Sequence, residues 1–197
     1  MQISAEFVTS AAGAGDFPRD RLMEVALVGR SNVGKSSLIN ALARRSVART
    51  SAAPGKTRLA NFYRVQRGTA PALYLVDLPG YGYARGGDAS AREFNALTAA
   101  YFSRVDTKDI AVVLLIDSRH PGLESDLDAW NWVRAQPVAR GIVATKVDKL
   151  TRAERVRHTR ELESSFDTRA LLVSAQSGEG LEELWKLIAR LPKETAA

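Results

Sequence analysis

The stretch GRSNVGKS, Gly29 to Ser36, sets two glycines, a lysine and a hydroxyl at the spacing G-x-x-x-x-G-K-[ST]. Residues of these types at this spacing can cradle a chain of phosphates. Glycines let backbone N–H groups turn inward toward phosphate oxygens, and a helix that follows presents its positive end to them. Lys35 would reach the β- and γ-phosphates, and the Ser36 hydroxyl would ligate Mg²⁺. Arg30, Ser31, Asn32 and Val33 complete the loop between Gly29 and Gly34, and Ser37 follows it. An ordinary glycine turn is the competing reading, although a chance match arises in roughly one sequence in a hundred at average residue frequencies.

Three further groups of residues extend that chemistry. LYLVDLPG places Asp77, Leu78, Pro79 and Gly80 at the end of an apolar run. An aspartate there can hold Mg²⁺ through water, and the Gly80 N–H can face a γ-phosphate. IVATKVDKL contains Thr145, Lys146, Val147 and Asp148 in the pattern [NT]-K-x-D. Asp148 would accept hydrogen bonds from guanine N1–H and the 2-amino group, a match adenine cannot make, while the Lys146 stem lies along the purine face. LLVSAQSGEG then supplies Ser174, Ala175 and Gln176. The Ala175 N–H can meet guanine O6, and Ser174 can brace the loop.

These groups need a scaffold that brings them together. EVALVG from Glu24 reads as a strand and KSSLINALARR as the helix after it, with Leu38, Ile39 and Leu42 at helical spacing. LANFYRVQRG and ALYLVDLPG read as a hairpin turning near Gly68 and Thr69. SAREFNALTAAYFSRV is predicted to be a helix, and the unbroken apolar run IAVVLLIDS a strand buried on both faces. Two more helix–strand pairs follow, LESDLDAWNWVRAQ with RGIVAT and TRAERVRHTRELESSF with RALLVSA. The last helix, GLEELWKLIARL, carries a stripe of Leu181, Leu184, Trp185 and Ile188. Such alternation predicts an α/β fold, a mostly parallel doubly wound sheet with helices on both faces. Each group sits just after a strand, where ligands of such sheets bind.

The chain has 197 residues, 45% of them hydrophobic, enough for one core. With no cysteine, disulfides and thiolate metal sites are excluded. The longest apolar run is too short to span a bilayer and the N-terminus does not read as a signal peptide, so a cytoplasmic protein without a membrane partner is expected. The net charge of +6 suits a polyanionic partner.

With these motifs in this order, the chain resembles the EngB family of bacterial ribosome-biogenesis GTPases, relatives of TrmE, Era and EngA. The resemblance runs from about Glu24 to the last helix, and DLPGYGYA and DSRHP are its most specific stretches. It implies a Ras-like P-loop GTPase domain over residues 24–192, with 1–23 as an extension packed on or leading into it and 193–197 frayed. It also implies Mg²⁺-dependent hydrolysis of GTP to GDP by a monomer that assists assembly of the large ribosomal subunit. Pro54, Gly55, Lys56 and Thr57 become switch I by the same resemblance, with Thr57 on the γ-phosphate and Mg²⁺. Arg58 stands where relatives often have glutamine.

Tyr81 occupies the position where Ras-type enzymes carry a water-orienting glutamine, which predicts slow basal turnover. Asn32 is a candidate ligand for K⁺, as in several relatives; a role in supporting the loop backbone is the other reading. Tyr81 and Tyr83 flank Gly82 in switch II, as the resemblance places it, and are read as aromatics that either stack on RNA or pack locally. His120 and His158 are expected at the surface, Trp130 in the core beside Leu123 and Leu127, and Trp132 on the other side of its helix, either contacting a partner or packing against the neighbouring loop. Lys149, Arg152, Arg155, Arg157 and Arg160 form either a solvated face or an rRNA contact. Two other functions stay open: a nucleotide-gated ribosome-binding module with incidental hydrolysis, and a membrane-associated GTPase.

Overall fold

A computed structural model describes residues 2–49, 59–81, 96–103 and 110–194. Seven strands form one sheet in the order β1-β3-β4-β2-β5-β6-β7. They are β1 (Ile3–Ala11), β2 (Met23–Gly29), β3 (Ala60–Arg67), β4 (Leu73–Asp77), β5 (Ile110–Asp117), β6 (Ala139–Thr145) and β7 (Ala170–Leu172). The pairings of β2 with β4 and β5, and of β6 with β5 and β7, are parallel, while β3 runs antiparallel to both β1 and β4. The helices are α1 (Lys35–Ala43), α2 (residues 96–102), α3 (Glu124–Arg134), α4 (Arg152–Phe166) and α5 (Leu181–Glu194). The expected doubly wound α/β sheet is therefore present.

Both ends of the described chain carry regular structure. The N-terminal segment contributes an edge strand, β1, which pairs along β3 from Ile3↔Arg67 to Ala11↔Ala60. At the other end, the backbone of α5 stays helical through Glu194, beyond the expected start of fraying.

The sheet has a hydrophobic core on each face, and strand alternation sorts side chains between them. Val112, Leu114 and Ile116 of β5 join Phe62, Trp130, Leu162 and Phe166 on one face. Val113 and Leu115 join Leu38, Ile39, Leu42, Trp185 and Ile188 on the other. This is why β5 reads as an unbroken apolar run: all eight of its residues are buried. Leu38, Ile39 and Leu42 are fully buried, each contributing roughly 1.5–3 kcal/mol by leaving water. They hold α1, which follows the phosphate loop, against the core on that face of the sheet.

Candidate nucleotide-binding site

β2 delivers the chain at Gly29, where a side chain is impossible: a Cβ would lie 2.8 Å from the Leu115 carbonyl oxygen and 2.9 Å from Val33. The loop then turns through two left-handed residues, Asn32 at φ 63° and Gly34 at φ 111°. Gly34 leads directly into α1 with no side-chain cap, so the first N–H groups of that helix have no side-chain acceptor from the cap position. The contrast with α4 is informative. There Thr151 and Glu154 close the helix start with a complete capping box. Of these two starts, the open one of α1 is suited to an anion.

Lys35 folds back over the loop, its Nζ donating to Gly29 O at 3.1 Å and Arg30 O at 3.4 Å. Burial pulls its pKa below the ordinary lysine value, with the Asp77 charge opposing that pull. Asp77, 2% exposed, accepts a hydrogen bond from Ser36 Oγ at 2.7 Å through Oδ2, while Oδ1 is buried without a partner. Burial pushes the Asp77 carboxyl up, against the opposing effects of Lys35 and Ser36. A hydroxyl, a carboxylate and an unused buried oxygen are hard donors that fit Mg²⁺. A dication there would reverse the cost of ionising Asp77. Leu78 and Pro79 are buried, and they carry the chain to Gly80.

Gly80 and Tyr81 lie directly on the phosphate loop. A Cβ on Gly80 would come 2.7 Å from Ser31 N, and Ser31 N donates to Tyr81 O at 3.3 Å. The Tyr81 hydroxyl donates to Asp126 Oδ1 at 2.8 Å, and Arg30 Nε approaches the same oxygen at 3.2 Å. Asp126 of α3 is fully buried. Desolvation of the Tyr81 phenol, reinforced by the neighbouring Asp126 charge, raises its pKa far above the usual range. Tyr81 thus packs against α3 rather than standing exposed for RNA. Nothing in the sequence near Asp126 advertised this partnership.

Beside the loop lies a cavity of ≈ 390 Å³. Val33, Gly34, Ser37, Thr145, Lys146, Asp148, Ala175 and Gln176 line it, together with Leu38, Lys149 and Val173, which sequence reasoning had not assigned to it. Thr145 Oγ1 donates to Val33 O at 2.7 Å, tying the end of β6 to the phosphate loop. The short threonine therefore makes the loop contact itself. Lys146 adopts a left-handed backbone, φ 62°, and sends its Nζ to Asn32 O at 2.6 Å. Asp148 Oδ1 accepts from Ser174 Oγ at 2.7 Å, and Lys149 Nζ lies 3.1 Å from Oδ2. The Ser174 hydrogen bond, reinforced by Lys149, lowers the Asp148 pKa, keeping it an ionised acceptor at neutral pH.

Two of the expected base-side residues do not line the cavity. Val147 is buried with its N–H on Val173 O at 3.3 Å, and Ser174, also buried, acts as the brace. Pro54, Gly55, Lys56, Thr57, Arg58 and Tyr83 lie outside the described residues.

Several surface expectations need correction. Arg155 Nη2 donates to Val147 O at 3.0 Å and Nη1 to Glu179 Oε1 at 2.5 Å, so it is bound to the base-side loops. His158 Nδ1 donates to Ser118 O at 2.9 Å instead of standing in solvent. Trp130 is buried as expected, but Leu123 is 37% exposed because it precedes the helix. Trp132 stacks edge-on against Phe102 of α2 at 5.1 Å. Exposed His120 agrees with expectation.

Residues 24–146 match the family described as 50S ribosome-binding GTPase. The probable GTP-binding protein EngB of Pelotomaculum thermopropionicum is 42% identical over 194 residues, covering 95% of this chain and 94% of its own. That of Solibacter usitatus is 43% identical over 187 residues, covering 94% and 95%. Among solved structures, an Aquifex aeolicus Era variant bound to GDP·AlF4⁻ superposes with a TM-score of 0.71 at 23% identity, over 85% of this chain and 56% of that one. This chain thus spans little more than half of Era. A crystal structure of a probable GTP-binding protein EngB gives a TM-score of 0.60 at 18% identity, over 87% and 99%. At these identities the two structural likenesses concern the fold.

Proposed function

The chain belongs to the EngB family of GTP-binding proteins and is a GTPase, and from that premise we propose that it is a Mg²⁺-dependent switch acting on the large ribosomal subunit or its precursor. The observation that carries the nucleotide half is one continuous site: an uncapped helix start, a buried carboxylate oxygen without a partner, and a cavity ending on Asp148. In this reading Gly29, Arg30, Ser31, Asn32, Val33, Gly34, Lys35, Ser36 and Ser37 hold the phosphates. Thr145, Lys146, Asp148 and Ala175 select guanine. Ser36 and Asp77 hold Mg²⁺, joined by Thr57, and the ion supplies charge neutralisation at the phosphates. Lys35 is already held on the loop side of Asp77, and Gly80 meets the γ-phosphate from switch II. The ribosomal half is supported by the description of the matching family and by the +6 charge.

Basal turnover is slow in this reading, because the Tyr81 hydroxyl is engaged by Asp126 and is not free to orient water. The same observation favours a second reading, a nucleotide-gated ribosome-binding module whose hydrolysis is incidental. Multiple-turnover hydrolysis with and without large subunits separates the two: stimulation supports the enzyme, and its absence supports the module. Asn32 supports the loop through its left-handed backbone and its carbonyl; a K⁺ ligand role requires faster hydrolysis in KCl than in NaCl at equal ionic strength. Among the described residues, no helix is long and apolar enough to cross a membrane.

A further inference from the structure

The stretch DSRHP, Asp117 to Pro121, stands outside the site described above, yet it touches that site through both backbone and side chain. Asp117 ends β5 in register with Thr145. The next residue, Ser118, donates its N–H to Thr145 O at 3.0 Å, and its own carbonyl accepts from His158 of α4. The turn is closed by His120 N on Asp117 O at 2.9 Å. Strand β5 is thereby extended into a short strap along the base-side loop.

The side chain of Asp117 is the centre of that strap. It is 4% exposed, and its Oδ2 accepts from Lys146 Nζ at 2.8 Å. The same ammonium donates to Asn32 O, so Lys146 is pinned at its tip between β5 and the phosphate loop. A lysine tip is otherwise a mobile point charge on a flexible stem. Fixed at the tip, the stem is held alongside the loop, with Cε 4.0 Å from where a Gly34 Cβ would stand. Arg119 holds the carboxylate from the other side, with Nε on Oδ1 at 2.9 Å and Nη2 on Oδ2 at 2.7 Å, and its backbone N on Oδ1 at 3.1 Å. Both carboxylate oxygens are therefore oriented before any nucleotide arrives.

We propose that Asp117 is the positioning residue for Lys146, and that DSRHP braces the guanine-reading loop. This rests on the reading of Lys146 as a base-contacting residue. Because the brace acts at the base and not at the γ-phosphate, losing it weakens GDP and GTP alike by raising their release rates. Base choice, set by Asp148, stays with guanine.

The test is a double-mutant cycle on the full chain, read as release of a fluorescent GDP analogue in stopped flow. Lys146→Ala and Asp117→Asn are each expected to speed release about tenfold, the factor that 1.4 kcal/mol represents. In the Lys146→Ala background, Asp117→Asn should add less than about twofold, because its effect passes through the missing ammonium. A purely structural role for Asp117 gives factors that multiply, and that result, or wild-type release in Asp117→Asn, overturns the proposal. If Lys146→Ala itself releases at the wild-type rate, the reading of Lys146 fails instead. Should Asp117→Asn not fold, Arg119→Ala reads the same coupling from an exposed side chain. It must speed release only while Lys146 is present.

Discussion

Asp148 meets an incoming base with one oxygen already engaged by Ser174 and the other near Lys149. In the proposed reading its acceptor character selects guanine, so Asp148→Asn should weaken GTP and strengthen xanthosine triphosphate, measured by calorimetry. Equal affinity of the native chain for ATP and GTP would overturn the base assignment. Gly80 is constrained by contact rather than by backbone angle: a Cβ would press on Ser31 N, which is backbone and cannot yield cheaply. Gly80→Ala should therefore separate switch II from the phosphate loop and lower the GTP hydrolysis rate at least about tenfold while GDP affinity changes little. Asp117 gives the pH prediction. Burial alone would raise its pKa, but hydrogen bonds from Arg119 and Lys146 outweigh that and hold it well below the usual carboxylate range. Its stabilising contribution is complete above the unfolded value of about 3.9 and is lost as pH falls toward the folded one. Asp77 and Asp126, both raised by burial, carry the opposite sign. The difference between native chain and Asp117→Asn is thus the quantity to measure, by thermal unfolding from pH 7 to pH 2, the loss being expected below about pH 4. The native chain should lose more of its advantage over the variant as pH drops; parallel curves would refute the assignment.

Helix α2 follows the switch II segment in sequence, and Phe102 near its end stacks against Trp132 of α3. Trp130 and Trp185 are buried in the cores on opposite faces of the sheet, whereas Trp132 is 37% exposed and sits at a helix–helix contact. Exchange of GDP for a GTP analogue should shift tryptophan emission, and Trp132→Phe should remove most of that change. An undiminished shift in the variant would place the signal elsewhere. The elements themselves were largely legible, because β2, β4, β5 and β6 are apolar runs that end in motif residues. The edge strand β1 was not. Its register slips between Phe7 and Thr9, and Phe7 and Val8 are both exposed, so the alternation that marks a half-buried strand is broken. Within the site, local motifs placed the phosphate loop, Asp77 and Asp148. Arg155, Asp126 and His158 were misread or missed because their partners are distant in sequence, and for Arg155 and His158 include backbone carbonyls, which leave no pattern in residue types.

Over the whole molecule, the +6 charge provides an attraction to RNA that should weaken steeply with salt. Since Arg155 is occupied by the base-side loops, the exposed Arg152 and Arg160 are the better probes of that surface. Reversing both to Glu should lower co-sedimentation with large subunits equally in the GDP and GTP-analogue states, whereas Thr57→Ala should erase the difference between states. Identical binding of the native chain in both states would leave only nonspecific RNA affinity. The cavity also has a consequence for how long the protein survives. Its walls come from residues 33–38, 145–149 and 173–176, so early and late parts of the chain both build the nucleotide's seat. A chain halted before the last of these segments has no complete seat and gains nothing from the ligand. In the finished protein, unfolding must expel the nucleotide, and ligand at a hundred times its Kd adds about 2.7 kcal/mol. As free guanine nucleotide falls toward Kd, that added stability shrinks by mass action, so the thermal midpoint should track nucleotide concentration.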